Sequence, residues 1–307
     1  MASIGLEEVN KNLQKGIFEK SEGAIVFRGE KYDKTLHTRV FINAVGVPIY
    51  EAKDLGLNIT KFKKYPNVYQ SIIVTANEQN DYFKVLLKAI SIIDEKNGTK
   101  TKHIGHGMMR FLSSKMSSRT GNVITAEALI DDIKSLVNDK IADRNMTKEE
   151  IEEASNIIAV GAIKYSILRS SIGGNIVFDS AASISFEGDS GPYLQYSVVR
   201  ARSLVEKAKK EGIDDKVSDF PKAVSLLEKL IVQFPEVVER ARKEYAPQAV
   251  ATYLINLAGA FNSFYASQVI VNKNDSLSSY YVLLTKVFAT TMTNGLWILG
   301  IKVPERM

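Results

Sequence analysis

Residues Ser71–Ile90, SIIVTANEQNDYFKVLLKAI, carry the pattern that decides the fold. The opening Ser-Ile-Ile-Val-Thr is a short β-branched run of the kind buried in parallel sheets. The period then changes: Tyr82, Phe83, Val85, Leu86, Ala89 and Ile90 recur at helical spacing. A strand feeding a helix is the building unit of an α/β layer. Toward the N-terminus, Ala24–Phe27 and Arg39–Ile42 are further β-rich runs, the second ended by Gly46 and Pro48. The first part of the chain, up to about residue 125, therefore predicts strands alternating with helices.

From about residue 126 the pattern is helical almost throughout. Thr147 followed by Glu150 spells a capping box: the hydroxyl accepts from a first-turn amide and the carboxylate returns to the cap amide. It predicts a helix to about Arg169, stopped by Gly173-Gly174. A second helix is expected over Tyr193–Lys210, closed near Gly212. Pro221, Pro235 and Pro247 are each expected in a first helical turn, where a missing N–H is tolerated. Ser276 is the expected cap of a final helix running to about Leu299, before Gly300 and Pro304. The fold class expected is α/β followed by all-α, the latter an antiparallel helical bundle.

Composition sets outer limits. The chain has 307 residues, 45% hydrophobic and 24% charged, which excludes a disordered or collagen-like polypeptide. A net charge of +5 permits a nucleic-acid partner without arguing for one. The absence of cysteine removes disulfides, thiolate nucleophiles and Cys-based zinc sites, and fits a reducing compartment. No window approaches about 18 uncharged apolar residues, so no membrane span is expected. Met1–Val9 lacks a basic patch followed by an apolar run, so no secretory signal is expected and the location expected is cytoplasmic.

The sharpest local feature is KMSSRTGNV, Lys115–Val123, with two cations, three hydroxyls and a glycine. Such a loop can approach phosphate oxygens through Lys115, Arg119 and main-chain amides, and it can equally be an ordinary exposed loop. KMSSRTGNV resembles the KMSKS signature of class I aminoacyl-tRNA synthetases, in the form found in arginyl-tRNA synthetases. Other stretches are similar to that family in the same order. They are GVPIYEAKD, VTANEQNDYFKVLLKAI, GDSGPYLQYSVVRARSL and the closing LGIKVPERM. His103-Ile104-Gly105-His106 spells the other class I signature, HIGH, but lies only about ten residues before Lys115. That spelling is read as coincidence, because His103, Gly107 and Met108 match the segment that leads into the KMSKS loop in this family. His106 is read as a partly exposed loop histidine; a zinc pair at His103/His106 lacks further ligands.

The resemblance implies the C-terminal half of a Rossmann-type class I catalytic domain followed by a helical anticodon-binding bundle. The domains expected are 1–175, a partial catalytic domain with the KMSKS-like loop and stem helices, and 176–307, the anticodon-binding domain. The true HIGH segment would be absent, so the fragment is expected to be inactive alone. The family match assigns L-arginine to Tyr50, Asp54 and Gln79. Tyr50 and Asp54 share a face if their segment is helical, and a carboxylate suits the planar fork of a guanidinium. On composition alone these residues read as a core tyrosine, a surface Asp and a strand-end Gln.

By the same match, Lys115 is the catalytic cation, and His103, Met108, Lys115, Ser117 and Arg119 form the ATP site. The second lysine position of the signature is Ser118, so Lys115 alone is not expected to suffice. Tyr193, Tyr196 and Arg200 share one helix face and, with Tyr265 and Met307, are matched to tRNA binding. Aromatic platforms beside a guanidinium suit splayed bases, while a buried core stripe would show the same spacing. The implied reaction is ATP-dependent attachment of L-arginine to its tRNA through arginyl-adenylate, with Mg2+ accompanying ATP and a monomeric parent enzyme. The rival readings are a non-catalytic tRNA-binding module and a structural subunit that completes its sheet with a partner.

Overall fold

The computed structural model describes residues 1–112, 125–142 and 144–307. The chain divides into two compact units, residues 1–108 with 172–174 and residues 109–171 with 175–307. Lys115, Ser117 and Arg119 lie outside the described residues. Among those described, no helix is long and apolar enough to cross a membrane.

The first unit opens with α1 (Ala2–Leu13), then β1 (Glu19–Ser21), β2 (Ala24–Arg28) and β3 (Thr38–Ile42), which form an antiparallel sheet in that order. Next come α2 (Tyr50–Lys64), β4 (Ser71–Ala76), α3 (Asn80–Ile93), the short α4 (Glu95–Thr99) and β5 (Thr101–His106). β4 and β5 pair in parallel, in register Ser71 to Thr101 through Ala76 to His106, with α3 as the crossover. The apolar face of α3 foreseen from its spacing is buried at every named position, from Tyr82 to Ile90. It packs with Phe18, Phe27 and Phe41, whose rings meet edge to face. The burial expected of β4 is only half present: Ile72 and Val74 are 45% and 63% exposed, because alternate side chains point away from α3.

Among its described residues, the regular structure of the second unit is helical apart from β6 (Met109–Phe111) and β7 (Ile176–Phe178), a parallel pair. Its helices are α5 (Ala126–Ile141), α6 (Lys148–Leu168), the short α7 (Ser180–Ser183), α8 (Gly191–Lys210), α9 (Leu226–Glu244), α10 (Pro247–Ser267) and α11 (Ser278–Ile298). The Thr147/Glu150 capping box is formed in both directions. α8 begins at Gly191 rather than at Tyr193, because Ser190 caps the amide of Tyr193 and Pro192 occupies the first turn. Pro247 does open α10.

Three punctuation signals act differently from expectation. Pro235 lies inside α9, which instead starts from a second capping box, Ser225 with Glu228. Pro221 lies in the irregular segment before that cap. Ser276 does not cap α11: its hydroxyl donates to Asp219 Oδ2 at 2.7 Å, and the helix begins two residues later. α9 and α10 form a hairpin, with Tyr253 Oη donating to Leu230 O at 2.9 Å. The bundle core gathers Leu194, Val198, Leu254, Leu257, Phe261, Phe288 and Met292.

Candidate functional site

Two clusters bring together side chains singled out from the sequence. The first is a cleft of about 480 Å³ in the first unit, lined by Arg39, Tyr50, Glu51, Asp54, Thr75, Gln79, Tyr82 and Phe83. Its position follows from local structure. The amide of Ile49, the residue capping α2, donates to Phe41 O at 3.0 Å, which ties the start of that helix to β3. Helical spacing then puts Tyr50 and Asp54 on one face. The end of β4 supplies Thr75, the 3-10 turn Asn77–Gln79 supplies Gln79, and the first turn of α3 supplies Tyr82 and Phe83.

Within the cleft, Tyr82 Oη donates to Asp54 Oδ2 at 2.6 Å. Burial, reinforced by that bond, pushes the Tyr82 phenol well above its usual pKa, so it stays a donor. The Arg39 guanidinium donates to Glu51 Oε1 at 3.1 Å and lies 5.1 Å from the centre of the Tyr82 ring. Tyr50 is 77% exposed, with the Lys53 ammonium 5.6 Å from its ring centre. Gln79 is exposed at the rim.

His103 stands behind this wall. Its ring stacks on Phe83 at 4.1 Å, and its Nε2 is 2.8 Å from Thr75 Oγ1. Burial holds its pKa below the usual value, which keeps the imidazole neutral at pH 7. Met108 is 43% exposed just beyond β5. His106 is exposed as expected, but it is the last residue of β5 rather than a loop residue. Among the described residues no cluster of three His, Cys, Asp or Glu is arranged to hold a metal.

The second cluster lies on α8 and α10. Arg200 sits with its guanidinium 4.7 Å from the ring centre of Tyr196 and 5.1 Å from that of Tyr265. Asn262 joins it: its Oδ1 accepts from Arg200 at 3.0 Å and its Nδ2 donates to Tyr193 Oη at 2.7 Å. Thus Tyr193, Tyr196, Arg200 and Tyr265 form one polar-aromatic group, in which Tyr193 also packs against the bundle core. Met307 stands apart from these bonds, half-buried against the core of α5 and α6 where Phe186 also packs. Phe186 in turn meets Tyr196 edge to face at 6.2 Å.

Sequence reasoning missed Arg39, Glu51, Thr75, Tyr82 and Asn262. Tyr82 was legible as a core position, and it is buried as one; its hydroxyl bonds Asp54 in the cleft. Glu51 lies within the GVPIYEAKD stretch, but a buried ion pair to a residue twelve positions away leaves no local mark.

Comparisons with known proteins bear on the family and the fold. The family model for the tRNA synthetases class I (R) catalytic domain matches residues 3–180, and that for the DALR anticodon binding domain matches residues 194–307. The arginine–tRNA ligase of Ligilactobacillus salivarius is 34% identical over 306 residues, covering 98% of this chain and 53% of that protein. That of Porphyromonas gingivalis is 31% identical over 315 residues, covering 99% and 52%. The chain thus spans about half the length of the curated relatives it matches. The Thermus thermophilus arginyl-tRNA synthetase superposes over the whole chain and 58% of its own, with a TM-score of 0.83 at 21% identity, a likeness of fold. With the catalytic-domain model matching more than half of its residues and a DALR bundle behind it, the chain belongs to the class I (R) tRNA synthetase family.

Proposed function

We propose that the chain provides the arginine cleft and the anticodon-reading bundle of an arginine–tRNA ligase, in a division of function near residue 175. The observation that carries this reading is the Asp54 carboxylate, held on one oxygen by Tyr82 and lining a cleft with Tyr50 and Gln79. A carboxylate presents four lone-pair sites, so Asp54 can hold Tyr82 and still receive a guanidinium fork. The Tyr50 hydroxyl and Gln79 amide are the further polar partners of L-arginine.

In this reading the bound carboxylate of arginine attacks the α-phosphorus of ATP. A new P–O bond forms, the bond to the β-phosphate bridge breaks, and pyrophosphate leaves. A terminal ribose hydroxyl of the tRNA for arginine then attacks the adenylate carbonyl and AMP leaves. No covalent enzyme intermediate is required; orientation and charge stabilisation carry the rate. Lys115, Ser117 and Arg119 are assigned to the phosphates, and His103 and Met108 to the adenine. Mg2+ accompanying ATP would neutralise charge on the substrate during this step. Tyr193, Tyr196, Arg200, Tyr265 and Met307 are assigned to the tRNA, by stacking and phosphate neutralisation. A monomeric enzyme working in the cytoplasm completes the reading.

The test is equilibrium binding of L-arginine to the chain, with L-citrulline as the uncharged control. Asp54→Asn should weaken arginine binding at least about 30-fold, since it removes a charge-assisted pair. Equal affinity in the variant would sink the assignment. The intact Arg200 cluster lies wholly within one unit and favours a second reading, a tRNA-binding module without catalysis. Tight tRNA binding with no arginine binding would select it.

A further inference from the structure

The cleft contains two carboxylates and one cation of its own. Glu51 and Asp54 stand at i and i+3 on α2, and Glu51, only 6% exposed, is taken by Arg39. Arg39 is itself placed by a second contact, from Nε to His37 Nε2 at 3.1 Å. Asp54 is therefore the carboxylate left to a ligand, and the cleft is matched to one positive charge.

A carboxylate rotates readily about its terminal torsion, so its plane must be set if it is to meet a guanidinium with two parallel bonds. Here one donor sets it: Tyr82 Oη on Oδ2 at 2.6 Å. Tyr82 cannot easily swing away. The residue is 9% exposed, and its ring packs edge to face on Phe83 at 4.9 Å and is covered on one face by Arg39. The order of support runs from Glu51 to Arg39, from Arg39 to the Tyr82 ring, and from the Tyr82 hydroxyl to Asp54.

Resting on the arginine-cleft reading above, we propose that Tyr82 is a positioning residue that sets selectivity for a planar guanidinium over an ammonium, with Arg39 holding Tyr82 in place and keeping Glu51 from taking a second cation. The distinction is geometric. A guanidinium profits from a carboxylate whose plane is fixed, whereas an ammonium is a compact point charge that meets a carboxylate in many orientations.

The experiment displaces radiolabelled L-arginine from the full chain with unlabelled L-arginine and with L-lysine, and reads the ratio of the two affinities. Tyr82→Phe keeps the ring and removes the hydroxyl; it should lower the arginine-over-lysine ratio about tenfold, through arginine alone. Arg39→Lys keeps Glu51 neutralised but removes the flat cation from the Tyr82 ring, and should lower the ratio by a smaller factor. Loss of packing would weaken both ligands together and leave the ratio unmoved. An unchanged ratio in a folded Tyr82→Phe protein overturns the proposal and leaves the Asp54 reading standing. Should Tyr82→Phe fail to fold, an unchanged ratio in Arg39→Lys overturns it instead. If the unmodified chain binds no arginine at all, both readings fall.

Discussion

Arg200 on α8 donates to the Oδ1 of Asn262 on α10 at 3.0 Å. The bond joins two helices of the bundle at the point where aromatic rings collect, and it orients the guanidinium between Tyr196 and Tyr265. Asn262 is thus the hinge pin of the proposed RNA surface, although no motif in the sequence marks it.

Removing that pin should loosen RNA recognition without removing charge. Asn262→Ala is expected to weaken tRNA binding about fivefold with an unchanged salt dependence, since no phosphate contact is lost. Arg200→Ala should weaken it further and reduce the slope of log affinity against log salt by about 1. Filter binding at several salt concentrations separates the two, and an unaltered affinity in Arg200→Ala would remove this surface from the tRNA site.

The capping box of α9 predicts a pH dependence. Burial raises the Glu228 pKa, but the Tyr280 hydroxyl and the Ser225 amide and hydroxyl outweigh it and leave the carboxyl below its ordinary 4.5. A depressed carboxyl binds fewer protons when folded, so its contribution is fully present above pH 4.5 and is lost as pH falls through the lower folded value. Urea midpoints followed down the acid range should therefore fall more steeply for the native protein than for Glu228→Gln.

Phe261 and Phe288 stack at 4.0 Å with their planes 9° apart, both at 0% exposure. Phe288→Ala leaves a cavity between α10 and α11 and should cost about 3–5 kcal/mol of stability. Chemical denaturation followed by far-UV circular dichroism measures it; a loss under about 1 kcal/mol would mean that the helices close the gap.

Gly161 on α6 faces Gln195 on α8, and a Cβ there would come within 2.6 Å of the Gln195 amide nitrogen. Gln195 is fully buried, and its Nε2 donates to Lys302 O at 2.7 Å and to Ile157 O at 3.3 Å, so it cannot give way cheaply. Gly161→Ala should destabilise by about 1–3 kcal/mol, although alanine is the better helix former by about 1 kcal/mol. It should also free the segment after Gly300, seen as faster carboxypeptidase digestion.

Residue order alone determined the features that depend on neighbours in the chain. The period change after Thr75, the capping box at Thr147 and Pro247 at the head of α10 were all legible, because strand pleat, helix pitch and cap geometry act over a few residues. Tyr50 and Asp54 could be placed on one helix face for the same reason. Pro235 and Ser276 misled because a proline within α9 is tolerated once Ser225 and Glu228 have started the helix, and because Asp219 draws the Ser276 hydroxyl from a distance. Tertiary structure alone decided what required residues far apart to meet: the Arg39–Glu51 pair, the Tyr82 hydroxyl on Asp54, and Asn262 between Tyr193 and Arg200. Those contacts depend on angles and distances set by whole packed elements, and such geometry leaves no period in the order of the residues.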